Sequence, residues 1–243
     1  MFNTKIDFIS KKKIYIFRIN NFLDSKIINQ IYKSFPEIDK NQLTLDKNFG
    51  KYGIKDDQIK DNNELQDFKN IIFSKLFFNF FTKKFFFINA FSQNNLLRTI
   101  KYLRKPVRYD KKNYLTDFLF SKLKVSCQFS FIKNMGGIKP HVDSQTKYLS
   151  LMLYFPDKKY NDHEYGTTFW ESNIQSHSGA HIGDGNELLN FKKNSKILYK
   201  TPFISNVLWG FVRNNQSWHS VEPINIDDNY VRKSININFI YEN

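Results

Sequence analysis

A chain of 243 residues, 41% hydrophobic and 17% aromatic, can build a sizeable core, which excludes an intrinsically disordered protein. Its net charge of +14 invites a polyanionic partner. Only six of the 37 basic residues are arginines, however, and the lysines are scattered in short groups such as Lys11 to Lys13 and Lys83-Lys84, so a solvated surface is the default reading.

Cys127 is the only cysteine, which rules out an internal disulfide and gives no sign of an oxidising compartment. Met1 to Ser10 lacks the apolar segment of a secretion signal, and no uncharged run reaches the 18 residues a spanning helix needs. The expectation is a soluble, cytoplasmic protein with no membrane span.

In chain order, residues 13–19 (KIYIFRI) predict a first strand from their β-branched and aromatic content. Asp24 is a good N-cap for a helix whose Ile27, Ile28, Ile31 and Tyr32 share a face, with Pro36 placed to stop it. Residues 37–63 are polar, carry Gly50 and Gly53, and read as loop. A second helix is expected from Glu64, with Leu65, Phe68, Ile72, Leu76 and Phe80 as its apolar stripe, and a third over 85–103, ending before Pro106.

From Lys122 the apolar period changes to two. Leu123, Val125, Cys127, Phe129 and Phe131 alternate with Lys124, Ser126, Gln128 and Ser130, the pattern of a half-buried strand. Gly136-Gly137 turns the chain. Further strands are expected over 147–155, 165–170, 197–199, 206–212, 218–221 and 230–241, with a glycine-rich loop over 171–195. Many short strands at close intervals, with helices gathered on the N-terminal side, predict a mainly β (α+β) protein built as a sandwich or closed double sheet. The expected organisation is a single domain over residues 1–243. Residues 1–121 supply a strand and supporting helices, and residues 122–243 the β core.

The chemistry gathers around Lys139-Pro140-His141-Val142-Asp143-Ser144. A histidine and a carboxylate two residues apart at a strand end project to the same side. Two histidines and one carboxylate are the set that grips one face of a ferrous ion and leaves positions open. His219, 76 residues beyond Asp143, is the candidate second histidine. His177 and His181, four apart, would suit a metal only on a helix, which the glycines around them oppose. Taken singly, each of these residues has a duller explanation: a structural histidine, a turn-capping aspartate, a surface cation.

Taken together, His141-Val142-Asp143, His219 and Arg232-Lys233-Ser234 resemble the signature of the Fe(II)- and 2-oxoglutarate-dependent oxygenases, in their prolyl-hydroxylase-like branch. The resemblance covers about Leu123 to Tyr241 and implies a double-stranded β-helix, or jelly roll, in agreement with the strand pattern. It implies that His141, Asp143 and His219 bind iron, and that Arg232 pairs with the distal carboxylate of 2-oxoglutarate while Ser234 donates to it. Tyr154 matches a tyrosine that some members use for the cosubstrate, and Asn236 continues the Arg232 face. Where the family carries an inward tyrosine on the strand before the metal motif, this chain has Phe129 and Phe131.

The implied activity is hydroxylation of an unactivated C–H of a small-molecule or carbohydrate-type substrate, with release of succinate and CO2. The implied cofactors are Fe(II), 2-oxoglutarate and O2, with ascorbate as an accessory reductant. Lys147 and Arg213, close to the motif in sequence, are candidate contacts to an anionic substrate, and Trp170, Trp209 and Trp218 candidate stacking walls. Two alternatives stay open. One is an oxygenase of the same class acting on prolyl residues or nucleic acid; the other is a non-catalytic jelly-roll binding module.

Overall fold

The computed structural model describes residues 1–39, 50–59, 63–92, 123–174, 176 and 179–241. Eleven strands among these form two antiparallel sheets. The larger runs in the order β1 (Asp7–Lys11), β2 (Tyr15–Asn20), β9 (Val207–Val212), β6 (Lys147–Phe155), β11 (Arg232–Tyr241), β4 (Leu123–Ile132), β3 (Lys51–Lys55). The smaller runs β5 (Ile138–His141), β10 (His219–Val221), β7 (Thr168–Ser172), β8 (Ser195–Lys200).

Strand parity divides the interior. One face of the large sheet carries Phe129, Phe131, Leu149, Leu151, Leu153, Ile235, Ile237 and Phe239, which pack with the helices α1 (Ser25–Ser34), α2 (Asn63–Ile72) and α3 (Lys75–Ser92). The opposite face, carrying Met152, Tyr154, Trp209 and Phe211, looks toward the small sheet and Phe169. Each fully buried phenylalanine contributes on the order of 2–3 kcal/mol of transfer free energy, and the helical layer supplies Phe68, Phe77, Phe81 and Phe85. A residue of even number on β4, on β11 or on β6 from Ser150 onward therefore faces the space between the sheets, while a register shift before Leu149 reverses the rule, turning Lys147 to the cavity and Tyr148 to the helices. That parity decides which side chains can reach a site.

Several expectations need correction. The single helix from Glu64 is two helices, because Ser74 interrupts it: the Ser74 hydroxyl donates to the Ile71 carbonyl and accepts from the Phe77 amide, capping α3. The break shifts the apolar stripe, so Phe77, Phe81 and Phe85 are buried while Leu76 is 63% exposed. Asp24 does cap α1, accepting from the Lys26 amide. The segment read as loop over 37–63 contains β3, which pairs with β4 at the edge of the large sheet. The loop over 171–195 contains a helix, α4 (Asn186–Lys193), which buries Phe191 against Trp170 and Trp218. The helix expected over 85–103 is the end of α3 as far as Ser92; residues 93–103 lie outside the described residues.

Candidate metal centre and cosubstrate pocket

The two histidines meet because β5 and β10 pair with His141 directly opposite His219, which brings their ring centroids to 4.1 Å. Each ring is oriented in the same way. Nδ1 of His141 donates to the Lys139 carbonyl at 2.9 Å, and Nδ1 of His219 donates to the Ser217 carbonyl at 2.9 Å. A carbonyl only accepts, so the proton resides on Nδ1 and the Nε2 lone pair is left for a ligand. Both Nε2 atoms face Asp143, at 3.9 Å from Oδ1 and 3.9 Å from Oδ2. These gaps are too long for hydrogen bonds, and an ion about 2.1 Å from each donor spans them. The donor atoms all lie within 4.8 Å of one another, so the residues fit a metal of the facial-triad type.

Asp143 is 6% exposed, and both of its oxygens are held. Lys147 Nζ donates to Oδ1 at 2.7 Å and Ser150 Oγ donates to Oδ2 at 2.7 Å. Burial alone would raise this carboxyl, but Lys147 and the two imidazoles outweigh it and hold the group below the usual carboxylate range. Burial pushes His141 down to about 3, with His219 adding to the effect, and lowers His219 as well. At neutral pH the triad is two neutral imidazoles and one carboxylate, the protonation state a cation requires. The loop carrying Asp143 is pinned from behind. Arg213 Nε donates to the Asp143 carbonyl at 3.0 Å, and the Val142 amide donates to Ala180 at 3.0 Å.

From the triad a cavity runs between the sheets toward Arg232. Arg232 is 2% exposed. Its Nε donates to the Tyr165 carbonyl at 2.6 Å and its Nη1 to Ser234 Oγ at 3.3 Å, while the guanidinium carbon lies 5.1 Å from the ring centres of Tyr154 and of Phe203. Among the described residues no carboxylate pairs with it. Burial draws its pKa down, with only the Tyr154 and Tyr230 phenols opposing. A guanidinium keeps its proton under such pressure, so the cavity ends in a desolvated positive charge shaped for a carboxylate. The Tyr154 hydroxyl lies 2.9 Å from Thr167 Oγ1 and 3.0 Å from Thr201 Oγ1 and accepts from the Thr167 amide. Gly166 makes this cluster possible: a Cβ there would stand 2.1 Å from the Thr201 carbonyl oxygen.

No protein-family model matches the sequence, and no curated protein sequence does. Solved structures do match in fold. HygX from Streptomyces hygroscopicus, with nickel and 2-oxoglutarate bound, is 9% identical with a TM-score of 0.50 over 93% of this chain and 82% of its own. A prolyl-4-hydroxylase from Pseudomonas putida is 10% identical, TM-score 0.49, over 93% and 92%. An oxidoreductase of the 2OG-Fe(II) oxygenase family from Burkholderia pseudomallei is 9% identical, TM-score 0.48, over 94% and 85%. The chain has the jelly-roll fold of the 2-oxoglutarate/Fe(II) oxygenases.

Within that oxygenase fold, His141, Asp143 and His219 fit the HxD…H order and come together as the sequence implied. Arg232, Ser234, Tyr154, Asn236 and Lys147 all line the cavity. Arg213 does not: it is buried behind the metal loop, so it positions Asp143 and does not face a substrate. None of the three tryptophans lines the cavity. Trp209 packs between the sheets, while Trp170 and Trp218 donate to Ser220 and Ile174 beneath α4. His181 lies on an isolated bridge to His141 and stacks on its ring at 5.0 Å, with no helix there; His177 lies outside the described residues.

Phe129 and Phe131 point into the helical core, and the inward residues of β4 are Gln128 and Ser130. Sequence reading missed several lining side chains, Ser150 and Lys51 among them. Ser150 had a signal, a lone hydroxyl in the apolar run KYLSLMLYF. Lys51 had a weaker one, the alternation of KYGIK, masked by flanking polar residues.

Proposed function

We propose that this chain is an Fe(II)- and 2-oxoglutarate-dependent dioxygenase that hydroxylates a C–H of a polar small molecule. When bound, the ferrous ion and 2-oxoglutarate supply O2 activation coupled to decarboxylation of the keto acid to succinate and CO2. The protein's part is placement. His141, Asp143 and His219 hold the metal on one face, and Arg232 with Ser234 anchors the distal carboxylate. The observation that carries the reading is the pairing, in one cavity, of a neutral-imidazole and carboxylate triad with a buried guanidinium that no carboxylate of the described chain neutralises.

The lining opposes a nucleobase: among the described residues its phenylalanine and tyrosine members are Phe211 and Tyr154, and neither forms a stacking platform at a basic groove.

The test is spectroscopic. Anaerobic addition of Fe(II) and 2-oxoglutarate to the purified protein should give the visible charge-transfer band of the chelate. His219→Ala should abolish it, and Arg232→Ala should move its 2-oxoglutarate midpoint upward by at least tenfold. A wild type without the band, or both variants behaving as wild type, would refute the assignment.

A further inference from the structure

Among the described residues the charges of the cavity do not balance, even with its expected contents. Its lining side chains include three cations, Lys51, Lys147 and Arg232, and one carboxylate, Asp143. Asp143 and Lys147 neutralise each other at 2.7 Å. A divalent metal and the dianion of 2-oxoglutarate cancel, which leaves a surplus of two positive charges in a partly desolvated space.

The surplus has a location. In the sheet register Lys51 and Arg232 both stand opposite Ile132, one on each side of β4, so their side chains project from the same face two strands apart. Arg232 lies deep and is fixed by Tyr165 and Ser234. Lys51 enters from the edge strand, half-buried, and among the described residues its side chain makes neither an ion pair nor a hydrogen bond. Burial is the largest influence disfavouring its charge; Lys147 and Arg232 add repulsion, which the attraction of Asp143 offsets in part. The one carboxylate that attracts it, Asp143, is already paired with Lys147 at 2.7 Å, so the Lys51 ammonium is left in an unfavourable arrangement that an anionic ligand would relieve.

The neighbouring wall supports the same direction. Gln128, Asn236 and Asn238 line the cavity on β4 and β11, offering amide donors and no acid. Gly53, two residues after Lys51 on the same face, leaves the space that the Gln128 side chain fills; a Cβ there would stand 2.5 Å from Gln128 Nε2.

We propose that Lys51, carried into the cavity by the edge strand β3, anchors an oxyanion of the substrate, so that the enzyme acts on a small carboxylate or phosphate compound. This rests on the oxygenase reading for the word substrate, but the anion site itself does not. With Arg232 serving the cosubstrate, Lys51 supplies the second cation, and the amides of β4 and β11 receive the polar remainder of the molecule.

The experiment is calorimetric titration of the full-length protein, loaded with zinc and 2-oxoglutarate, with inorganic phosphate and, separately, acetate. Saturable binding of at least one anion is expected in wild type, weakened at least tenfold in Lys51→Gln and kept within threefold in Lys51→Arg. The anion that binds more tightly indicates which group the substrate carries. Affinity for 2-oxoglutarate should change less than threefold in Lys51→Gln while falling at least tenfold in Arg232→Gln. Absence of saturable binding in wild type would overturn the proposal. So would equal binding by Lys51→Gln, as expected for an anion held by the metal alone, and so would a loss of 2-oxoglutarate affinity in Lys51→Gln as large as in Arg232→Gln. If the Fe(II)·2-oxoglutarate band never forms, the oxygenase reading fails separately, and the same titrations on metal-free protein still decide Lys51. Thermal melts of each variant distinguish a lost site from a lost fold.

Discussion

His219 stands opposite His141 on the β5–β10 ladder, and each ring donates from Nδ1 to the carbonyl two residues before it. This places two imidazoles in a buried space that disfavours their protonation. In the unfolded chain both take up protons near pH 6.5, whereas in the folded metal-free protein His141 resists protonation to about 3 and His219 is also depressed. Between those limits the unfolded state binds more protons, so stability falls as pH falls, by up to about 1.4 kcal/mol per pH unit for each histidine. Asp143, depressed in the folded state, adds a loss of the same sign below about pH 3.9. Urea midpoints of the metal-free protein should decline from pH 7 to pH 4.5, and His141→Asn with His219→Asn should flatten the slope. An unchanged slope in the double variant would show that other groups cause it.

Lys147 occupies one oxygen of Asp143, which a metal would share or claim. Lys147→Met strands a carboxylate that is almost fully buried. The cost in the metal-free protein should be about 2 kcal/mol, below the roughly 3–5 kcal/mol of a fully buried broken pair, because Lys147 itself is 27% exposed. A dication restores the missing positive charge, so zinc should raise the melting temperature of Lys147→Met more than that of wild type. Equal zinc-induced shifts would mean that the lysine and the metal do not act on the same carboxylate.

The readable parts of the chain were those where local pattern and tertiary role coincide. The alternation over 123–131 announced β4, and Asp24 announced α1, because a strand with one apolar face and a capped amphipathic helix look alike in sequence and in space. His141, Asp143 and His219 were legible as a set because a metal site requires particular side chains in a fixed order. Lys51 was not, since its role comes from an edge strand that pairs it with Ile132, 81 residues away, and the short alternation of KYGIK hardly sets it apart from other lysines. Arg213 was misplaced for a related reason: proximity in sequence to His219 does not say on which side of the loop a side chain lies. The helix break at Ser74 shows how one hydroxyl can shift a stripe of phenylalanines by one position.

Gly210 sits where β2, β9 and β6 meet, opposite both Phe17 and Leu151. A Cβ there would stand 2.2 Å from Phe17 Cζ and 2.7 Å from Leu151 Cδ2, both in the closely packed layer beneath the helices. Phe17 stacks on Phe85 at 4.5 Å, so its ring has little room to retreat. Gly210→Ala should therefore cost about 2–3 kcal/mol through overpacking. A urea midpoint lowered accordingly, with the Fe(II)·2-oxoglutarate band unchanged in the folded fraction, is the expected result. A neutral substitution would mean that the N-terminal strand is less firmly seated than its register implies.

Tyr154 and Arg232 touch the same end of the cavity but should fail differently. The Tyr154 hydroxyl belongs to a closed cluster with Thr167 and Thr201, and without it the Thr167 amide keeps its bond to Thr201 Oγ1 at 2.7 Å. Tyr154→Phe should therefore cost about 1 kcal/mol of stability and change 2-oxoglutarate affinity by no more than a few-fold. Arg232→Lys keeps a charge but has no Nε to hold the Tyr165 carbonyl and no planar fork to meet a carboxylate, so 2-oxoglutarate binding should weaken by roughly 10- to 100-fold. Titrating the charge-transfer band against 2-oxoglutarate in both variants separates the two roles. If Tyr154→Phe proved the more damaging, the cosubstrate's distal carboxylate would have to be assigned to the threonine cluster and not to the guanidinium.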